Sequence, residues 1–316
     1  MKVIMIHHPH NIDIKDLPPM AMALGFFDGV HKGHQKVILT ARQIANDNGW
    51  KSSVMTFDPH PSVVLGTKNK TIHYITPLKD KIEKIASLKV DFLFVVRFTS
   101  AFASVEPEKF ADDYLAKLNV RHVVAGFDYT YGKFGKGTME TLPIHSKDNF
   151  KVTTVAKLED KEEKISSTAI RNLLNQGDVY DAKALLGRFY TTKGTVVHGE
   201  KRGRTIGFPT ANVQILSDYL IPKTGVYAVR ILVAETWENG VCNVGYKPTF
   251  NKPGHSQLSI EVHILDFDRS IYGEEVSIEW HMRLRDEKKF SGIEELKLQI
   301  NKDKEIAVGY FQTLGK

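Results

Sequence analysis

The sequence predicts an α/β protein in two parts: an N-terminal doubly wound parallel sheet of the Rossmann-like type, and a C-terminal antiparallel β-barrel followed by a helix. In the first part, short apolar runs alternate with helical patterns, which is typical of a parallel sheet covered on both faces. In the second part, strand-like segments are separated by turn residues, which indicates antiparallel pairing. With 316 residues, 42% of them hydrophobic, the chain can build two cores. We expect domains over residues 1–186 and 187–316.

Five apolar runs in the first part are predicted as strands, and three segments between or after them as helices. The strands cover residues 22–27, 53–57, 91–98, 122–127 and 151–156. The helices are "HQKVILTARQIANDNG", "TPLKDKIEKIASL" and "EPEKFADDYLAKLN". In the first helix Val37, Ile38 and Ala41 share one face, as expected for a helix that covers a sheet.

The second part contains three long segments with the composition of strands: "GVYAVRILVAE", "QLSIEVHILDF" and "EEVSIEWHMRL". Turns are predicted at 239–240 (Asn-Gly) and around 253–254 (Pro-Gly). The last segment is predicted as a helix, and Ser291 with Glu294 three residues later indicates a capping box at its start.

Composition narrows the class of protein. The formal net charge is +6, but the basic residues are scattered among acids, as in "KLEDKEEK", so we expect no nucleic-acid partner. The single cysteine, Cys242, excludes an internal disulfide and favours a reducing, cytoplasmic setting. No apolar run reaches the length of a membrane span, so we expect no membrane partner. The oligomeric state is left open at this point.

The stretch "GFFDGVHKGH" (25–34) follows the first predicted strand and opens the first helix. Gly29 and Gly33 allow the backbone to approach a ligand closely, and a helix N-terminus favours phosphate. His31 and His34, about one turn apart, are expected to project together over that phosphate. Two alternatives stay open: surface histidines at a helix start, or a metal site shared with the histidines at 7, 8 and 10.

A second stretch, "ISSTAIR" (165–171), opens another helix with hydroxyl side chains and places Arg171 one turn in. By itself it could be a capping cluster with a solvated arginine. Together, the two stretches resemble the HxGH and SSTxxR signatures of the nucleotidyltransferase superfamily related to class I aminoacyl-tRNA synthetases, which implies adenylyl or cytidylyl transfer. The expected phosphate-binding residues are Gly25, Phe27, Asp28, Gly29, Gly33, Ser166, Ser167 and Thr168, with His31, His34 and Arg171 as the catalytic residues.

A third stretch lies beyond the predicted boundary. "GKFGKGT" (132–138) is not a Walker loop, because Thr138 stands where lysine is required, but "HGEKRGRTIGFPTAN" (198–212) is rich in glycine. Its glycines permit a phosphate cradle, and its side-chain oxygens suit magnesium. A glycine-rich hairpin ending in a turn is the alternative. The residues concerned are Gly199, Gly203, Gly207, Thr210 and Asn212.

Glu261, in "SIEVHIL", is a carboxylate on a strand otherwise made of apolar or small residues and a histidine. Because neighbouring residues of a strand face opposite sides, it is either a base inside the barrel or an exposed strand residue. His263 shares its face and is expected to be merely packed.

From about residue 20 to the C-terminus, the chain resembles the bacterial bifunctional riboflavin kinase/FAD synthetase family. The likeness rests on "GFFDGVHKGHQ", "TFDPHP", "AGFDYTYGKFGKGT", "ISSTAIRNLL", "GTVVHGEKRGRTIGFPTANV", "NVGYKPTF", "EVHILDFDRSIYG" and "LRDEKKF". It implies an N-terminal FMN adenylyltransferase that makes FAD from FMN and ATP. It also implies a C-terminal riboflavin kinase that makes FMN from riboflavin and ATP with Mg²⁺.

The resemblance also implies residue roles. Glu261 is implied as the base of the kinase, and Thr210 and Asn212 as ligands of its magnesium–ATP. The residues implied to contact flavin are Pro59, Pro61, Asp128 and Tyr131 in the adenylyltransferase, and Arg285 and Phe290 in the kinase. The alternatives are an enzyme with one inactive half, a nucleic-acid-binding protein, and a flavoprotein that uses FMN as a redox cofactor.

Overall fold

The computed structural model describes residues 1–66, 72–160, 163–199, 202–248 and 256–314. Contacts between backbone positions divide the chain into two compact units, Met1–Ser167 and Thr168–Lys316. This division assigns the helical segment that follows Ser167 to the second unit, whereas the sequence-based boundary at 186/187 assigns it to the first domain. The 186/187 boundary stays a prediction.

The first unit contains a six-stranded parallel sheet in the order β1-β4-β3-β2-β5-β6. The strands are β1 (Lys2–Ile6), β2 (Met20–Leu24), β3 (Lys51–Asp58), β4 (Phe92–Arg97), β5 (Val120–Gly126) and β6 (Lys151–Val155). The five predicted strands are confirmed, and β1 was missed. Four of its five residues are apolar, but the run is short, and only Ile6 is buried because β1 is an edge strand. Strands β3 and β4 follow β2 on one side of the sheet, and β5 and β6 lie on its other side. The strand order therefore reverses between β2 and β5, which is the topological switch point.

Helices cover the parallel sheet on both faces. Their bounds are α1 (Lys32–Asp47), α2 (Pro61–Leu65), α3 (Leu78–Ser87), α4 (Ser100–Ala103), α5 (Pro107–Ala111) and α6 (Leu142–Ser146), with a π-helix over Asp112–Ala116 and 3₁₀ turns over Ile14–Asp16 and Lys133–Gly135. Met22 of β2 joins one apolar cluster and its neighbour Ala23 joins another on the opposite face. A separate two-stranded antiparallel sheet pairs β7 (Glu159–Asp160) with β8 (Glu163–Lys164).

The second unit is a closed antiparallel barrel in the order β10-β13-β12-β11-β14-β9, as the sequence predicts. Its strands are β9 (Tyr190–Val197), β10 (Ala211–Ile215), β11 (Gly225–Val233), β12 (Thr236–Pro248), β13 (Ser256–Ile264) and β14 (Glu275–Arg285). Its helices are α7 (Ser167–Gln176), which begins at the last residue of the first unit, α8 (Val179–Leu186), α9 (Arg202–Thr205) and α10 (Ile293–Leu314). Across the described ranges, no helix is both long and apolar enough to cross a bilayer.

The predicted turn at Asn239–Gly240 is wrong. Both residues lie inside β12, and the hairpin reverses at Ala234 and Glu235, whose φ angles are 45° and 68°. Gly240 allows Val262 to pack closely against β12, because a Cβ at position 240 would lie 3.0 Å from Cγ1 of Val262. The turn predicted at 253–254 lies outside the described residues.

The predicted partner of Ser291 at the start of the last helix, Glu294, is also wrong. Ser291 donates to the Oε2 of Glu295 from both its backbone N–H (3.0 Å) and its hydroxyl (2.8 Å). Glu294 instead pairs with Lys297. Because α10 begins at Ile293, Glu295 and not Glu294 is within reach of Ser291.

Candidate functional site

The first site is the turn between β2 and α1, at the switch point of the parallel sheet. Phe27, Gly29 and Val30 have φ angles of 56°, 86° and 40°, so the chain reverses tightly after β2. The ring of Phe27 folds back over Gly25, where a Cβ would lie only 2.7 Å from it. Ligands of open α/β sheets bind at such a position, outside the carboxyl ends of the strands.

His31 is the N-cap of α1. Its Nδ1 accepts a hydrogen bond from the backbone N–H of His34 at 3.2 Å, so the proton of the neutral ring is on Nε2, which can donate. Gly33 makes room for this ring, because a Cβ there would lie 3.1 Å from Cε1 of His31. The His31 ring is therefore held at the helix start, and the projection of both histidines over a phosphate stays a prediction.

His34 is half-buried and stacks on His31, with ring centroids 3.5 Å apart. Burial lowers its pKa well below 6.5, and the nearby His31 and Lys81 lower it further. Its Nδ1 makes no hydrogen bond with any described residue. At neutral pH His34 is thus an uncharged imidazole.

Asp28 and Ser167 fasten the turn to other elements. The Asp28 carboxylate accepts from the backbone N–H groups of Ile75 (3.3 Å) and Thr76 (2.9 Å), at the start of α3. The Ser167 hydroxyl donates to the Asp28 carbonyl at 2.9 Å, so the "ISST" stretch does reach the turn. The other predicted residues of this segment are Ser166, which precedes α7, and Thr168 and Arg171, which lie in the first turns of α7.

Lys81 of α3 belongs to this site, and the sequence analysis missed it. Its ammonium donates to the Phe26 carbonyl at 2.8 Å and is 2% exposed. Burial lowers its pKa to about 8, an effect opposed by Asp28 and Asp58. A signal was present, because Lys81 falls within the apolar stripe formed by Leu78, Ile82 and Ile85.

The residues expected to contact flavin follow the carboxyl ends of β3 and β5, which share one edge of the sheet. Pro59 and Pro61 follow β3, and Asp128 follows β5. The Tyr131 hydroxyl is hydrogen-bonded to Nδ1 of His145 at 2.7 Å. The buried hydroxyl of Tyr129, whose pKa is raised by burial, has no partner among the described residues.

The alternative of a histidine metal site is not supported. In the ranges that the structure describes, no three histidine, cysteine or acidic side chains are grouped so as to hold a metal. His8 is hydrogen-bonded to the hydroxyl of Tyr114 (2.7 Å) and His10 to the carbonyl of Asp113 (3.0 Å).

The second site is a row of polar residues across three strands of the barrel. Antiparallel register places Asn212 of β10 opposite Glu261 of β13, and Glu261 opposite Asn243 of β12. The neighbours Ile260 and Val262 are buried in the barrel interior, so the row lies on the other face. Asn243 was not singled out from the sequence, because its contribution depends on strand register.

Glu261 is neither inside the barrel nor fully exposed. It is half-buried, and its carboxylate accepts from the hydroxyls of Thr210 (3.4 Å) and Ser259 (3.1 Å). The structure thus brings the predicted base close to one of the two predicted magnesium ligands. His263 is hydrogen-bonded to the carbonyl of Pro209 at 2.8 Å, in line with a packing role.

Of the three predicted glycines, Gly199 lies against Asn212 and lines a cavity. A Cβ on Gly199 would lie 2.2 Å from the amide nitrogen of Asn212, and one on Gly203 would lie 2.3 Å from the carbonyl oxygen of Phe208. Gly207 has a φ of 89°. This cavity measures about 280 Å³; its lining includes Gly199, Arg204, Thr210, Asn212, Asp268 and Arg269.

Arg285 and Phe290 are neighbours at the end of β14. The guanidinium carbon of Arg285 lies 5.8 Å from the centre of the Phe290 ring. Its Nε and Nη2 donate to the carboxylate of Asp303 on α10 at 2.8–3.0 Å, and its Nη1 donates to the carbonyl of Asp286. Most of its donors are therefore committed within the protein.

Each half of the chain matches a known protein family. The FAD synthetase family model matches residues 13–169, and the riboflavin kinase family model matches residues 186–311. The chain therefore combines two enzyme domains of flavin-cofactor synthesis.

The curated relatives join these two activities in one chain. The bifunctional riboflavin kinase/FMN adenylyltransferase of Bacillus subtilis (strain 168) is 53% identical and covers 100% of both chains. That of Listeria monocytogenes is 52% identical and covers 99% of both. This chain belongs to the family of bifunctional riboflavin kinase/FMN adenylyltransferases.

One solved structure is similar over nearly the whole chain. The crystal structure of a macrolide-efflux protein from Streptococcus pneumoniae is 35% identical, with a TM-score of 0.88, and covers 97% of this chain and 99% of that one. Its name concerns efflux, whereas both family models and the curated relatives concern flavin chemistry.

Proposed function

We propose that the chain phosphorylates riboflavin with ATP in its barrel, and then joins AMP from a second ATP to the resulting FMN in its parallel-sheet domain. Membership of the family supports both activities. We propose that residues 1–186 carry the adenylyl transfer and residues 187–316 the kinase reaction. The observation that supports the residue assignment is the hydrogen bond from the Thr210 hydroxyl to the Glu261 carboxylate, 3.4 Å, because Thr210 also lines the cavity that contains Gly199 and Asn212. On composition we also propose a cytoplasmic setting, without nucleic-acid or membrane partners.

In adenylyl transfer, a phosphate oxygen of FMN attacks the α-phosphorus of ATP, and the bond to the bridging oxygen breaks to release pyrophosphate. The reaction needs positioning and positive charge but no protein nucleophile. We assign phosphate contacts to Nε2–H of His31, to His34 and to the guanidinium of Arg171. The hydroxyls of the "ISST" stretch and the glycine turn at 25–33 supply further donors, and the flavin ring lies on the side of Pro59, Pro61, Asp128 and Tyr131.

In riboflavin phosphorylation, the 5′-hydroxyl oxygen attacks the γ-phosphorus of ATP, and ADP leaves. Glu261 takes the hydroxyl proton as general base. The two hydroxyl donors on its carboxylate, from Thr210 and Ser259, hold it in one orientation. Asn243, opposite Glu261 in the sheet register, is placed to bind the same end of the substrate. Phe290 covers the flavin side, and Arg285 orders the segment that carries it.

The residues of the barrel fit a magnesium ion. Thr210 and Asn212 offer neutral oxygen ligands of the kind that Mg²⁺ combines with substrate phosphates. The absent side chain at Gly199 leaves space that the Asn212 amide needs. When bound, the ion neutralises charge on the transferred phosphoryl group.

The test separates the two activities in one protein. Glu261→Gln is expected to abolish FMN formation from riboflavin and to leave FAD formation from supplied FMN unchanged, both followed by chromatography. Glu275→Gln, at an exposed glutamate of the same barrel, is the matched control and is expected to retain both activities. Loss of both activities in folded Glu261→Gln would reject separate sites, and absence of FMN and FAD with the wild type would reject the function.

A further inference from the structure

The ammonium of Lys81 lies beneath the turn that follows β2. It donates to the Phe26 carbonyl at 2.8 Å and to the hydroxyl of Thr56 at 3.4 Å, and it lies 3.9 Å from the centre of the Phe26 ring. The Thr56 hydroxyl itself donates to the Phe26 carbonyl at 2.8 Å. One carbonyl is thus held by two donors from two different elements, α3 and β3.

This arrangement determines where the next N–H points. In a trans peptide the C=O and N–H vectors are antiparallel, so with the Phe26 carbonyl turned toward Lys81, the N–H of Phe27 points the opposite way. That N–H donates to no acceptor in the part of the chain that the structure describes. An N–H without a partner in a turn at a switch point is a donor suited to a phosphate oxygen.

The Lys81 ammonium is itself unusual. Within the described ranges no carboxylate oxygen lies within 4 Å of its nitrogen, although the side chain is buried. A buried charge without an ion pair is costly, which favours a role for Lys81 beyond stability. The charged or titratable groups that interact electrostatically with it are Asp28 on the turn, Asp58 at the end of β3 and His34 on α1.

We propose that Lys81 is the positioning residue of the adenylyltransferase turn: it holds the Phe26 carbonyl so that the Phe27 N–H faces the phosphates of ATP. The proposal rests on the adenylyl-transfer function proposed above. Lys81 acts through the peptide between residues 26 and 27 and does not touch the reacting atoms. The substrate class that it serves is a nucleoside triphosphate.

The experiment compares Lys81→Met, Lys81→Gln and Lys81→Arg with Lys79→Met, a matched control at an exposed lysine of the same helix. FAD formation from FMN and ATP is measured, with riboflavin phosphorylation by the same protein as internal reference. Lys81→Met is expected to raise the KM for ATP in adenylyl transfer at least tenfold, with the reference within twofold of wild type. Lys81→Gln and Lys81→Arg, which keep a donor for the carbonyl, are expected to recover part of that loss.

A second variant gives a readout at the other donor to the same carbonyl. Thr56→Val removes the hydroxyl that donates to the Phe26 carbonyl, and it is expected to raise the KM for ATP in adenylyl transfer severalfold while riboflavin phosphorylation stays within twofold of wild type. A KM for ATP in Lys81→Met within twofold of wild type overturns the proposal. If Lys81→Met loses both activities by unfolding, Thr56→Val decides: a raised KM for ATP supports the proposal, and an unchanged KM overturns the claim that the hydrogen bonds on this carbonyl position the turn. Failure of the wild type to form FAD would reject the proposed function itself.

Discussion

The backbone N–H of His34 donates to Nδ1 of His31, and the two imidazole rings stack with centroids 3.5 Å apart. One nitrogen of His31 therefore caps a helix, while the other carries the proton that can reach a ligand. Under the proposed function, the helix cap and the ligand contact come from the same side chain, so a substitution by alanine would remove both at once.

Asparagine at position 31 separates these two roles. Its short side chain can accept the His34 N–H as an N-cap, but it does not extend to the position of Nε2. His31→Asn is expected to keep the wild-type melting temperature and to lower the turnover of adenylyl transfer about 100-fold. His31→Ala is expected to lose the same turnover and, in addition, about 1 kcal/mol of stability. Thermal unfolding and FAD formation are the two measurements; normal turnover in His31→Asn would contradict the role of Nε2.

The lowered pKa of His34 gives a prediction for how the stability of the first unit depends on pH. Its pKa in the folded protein is lowered well below the ordinary 6.5, so below pH 6.5 the unfolded chain binds more protons than the folded one. Stability is then present above pH 6.5 and is lost as the pH falls toward the folded pKa, by at most about 1.4 kcal/mol per pH unit for one group.

His34→Gln is the variant that tests this dependence. Between pH 7.5 and pH 5.5 its melting temperature is expected to fall less than that of the wild type. The pKa values of His10 and His122 are also lowered, and both remain in the variant, so the difference between the two profiles isolates His34. Parallel profiles would show that His34 is not held neutral by the fold.

The features that the sequence predicted correctly are those that depend on the pattern of neighbouring residues. Alternating apolar runs give the parallel sheet, and the "HKGH" spacing gives two histidines on one helix turn, because both properties follow from residues close in the chain. Asn243 and Lys81 were missed for a different reason. Asn243 reaches Glu261 only through strand register, and Lys81 reaches the turn across 55 residues of chain. The turn predicted at Asn239–Gly240 failed because Gly240 serves a tertiary contact with Val262.

Gly199 gives a prediction for the kinase. A methyl group at this position would lie 2.2 Å from the amide nitrogen of Asn212, so Gly199→Ala must displace that side chain. Riboflavin phosphorylation is expected to fall at least tenfold and to require more Mg²⁺ for half-maximal rate, while adenylyl transfer stays unchanged. The control is Gly309→Ala on α10, where a Cβ meets no atom within 4 Å; helix propensity predicts a gain of about 0.5–1 kcal/mol there. An unchanged magnesium requirement in Gly199→Ala would argue against Asn212 as a ligand.

The ion pair between Arg285 and Asp303 gives a prediction that separates stability from substrate binding. The Asp303 side chain is 3% exposed and accepts from two nitrogens of Arg285, so removing its charge leaves a guanidinium largely buried and unpaired. Asp303→Asn is expected to destabilise the barrel by about 3 kcal/mol, because breaking a buried pair costs more than replacing it. The measurement is unfolding followed by tryptophan fluorescence, since Trp237 and Trp280 lie in the barrel.

The double variant Arg285→Met with Asp303→Leu removes both charges together, and an apolar pair of similar size is expected to restore most of the stability. Its KM for riboflavin is expected to stay severalfold above that of the wild type, because Arg285 also holds the Asp286 carbonyl at the start of the segment that leads to Phe290. The KM for riboflavin measured at a temperature where both proteins are folded separates the two effects. If stability and KM return to wild-type values together, Arg285 serves the fold alone and orders nothing on the flavin side.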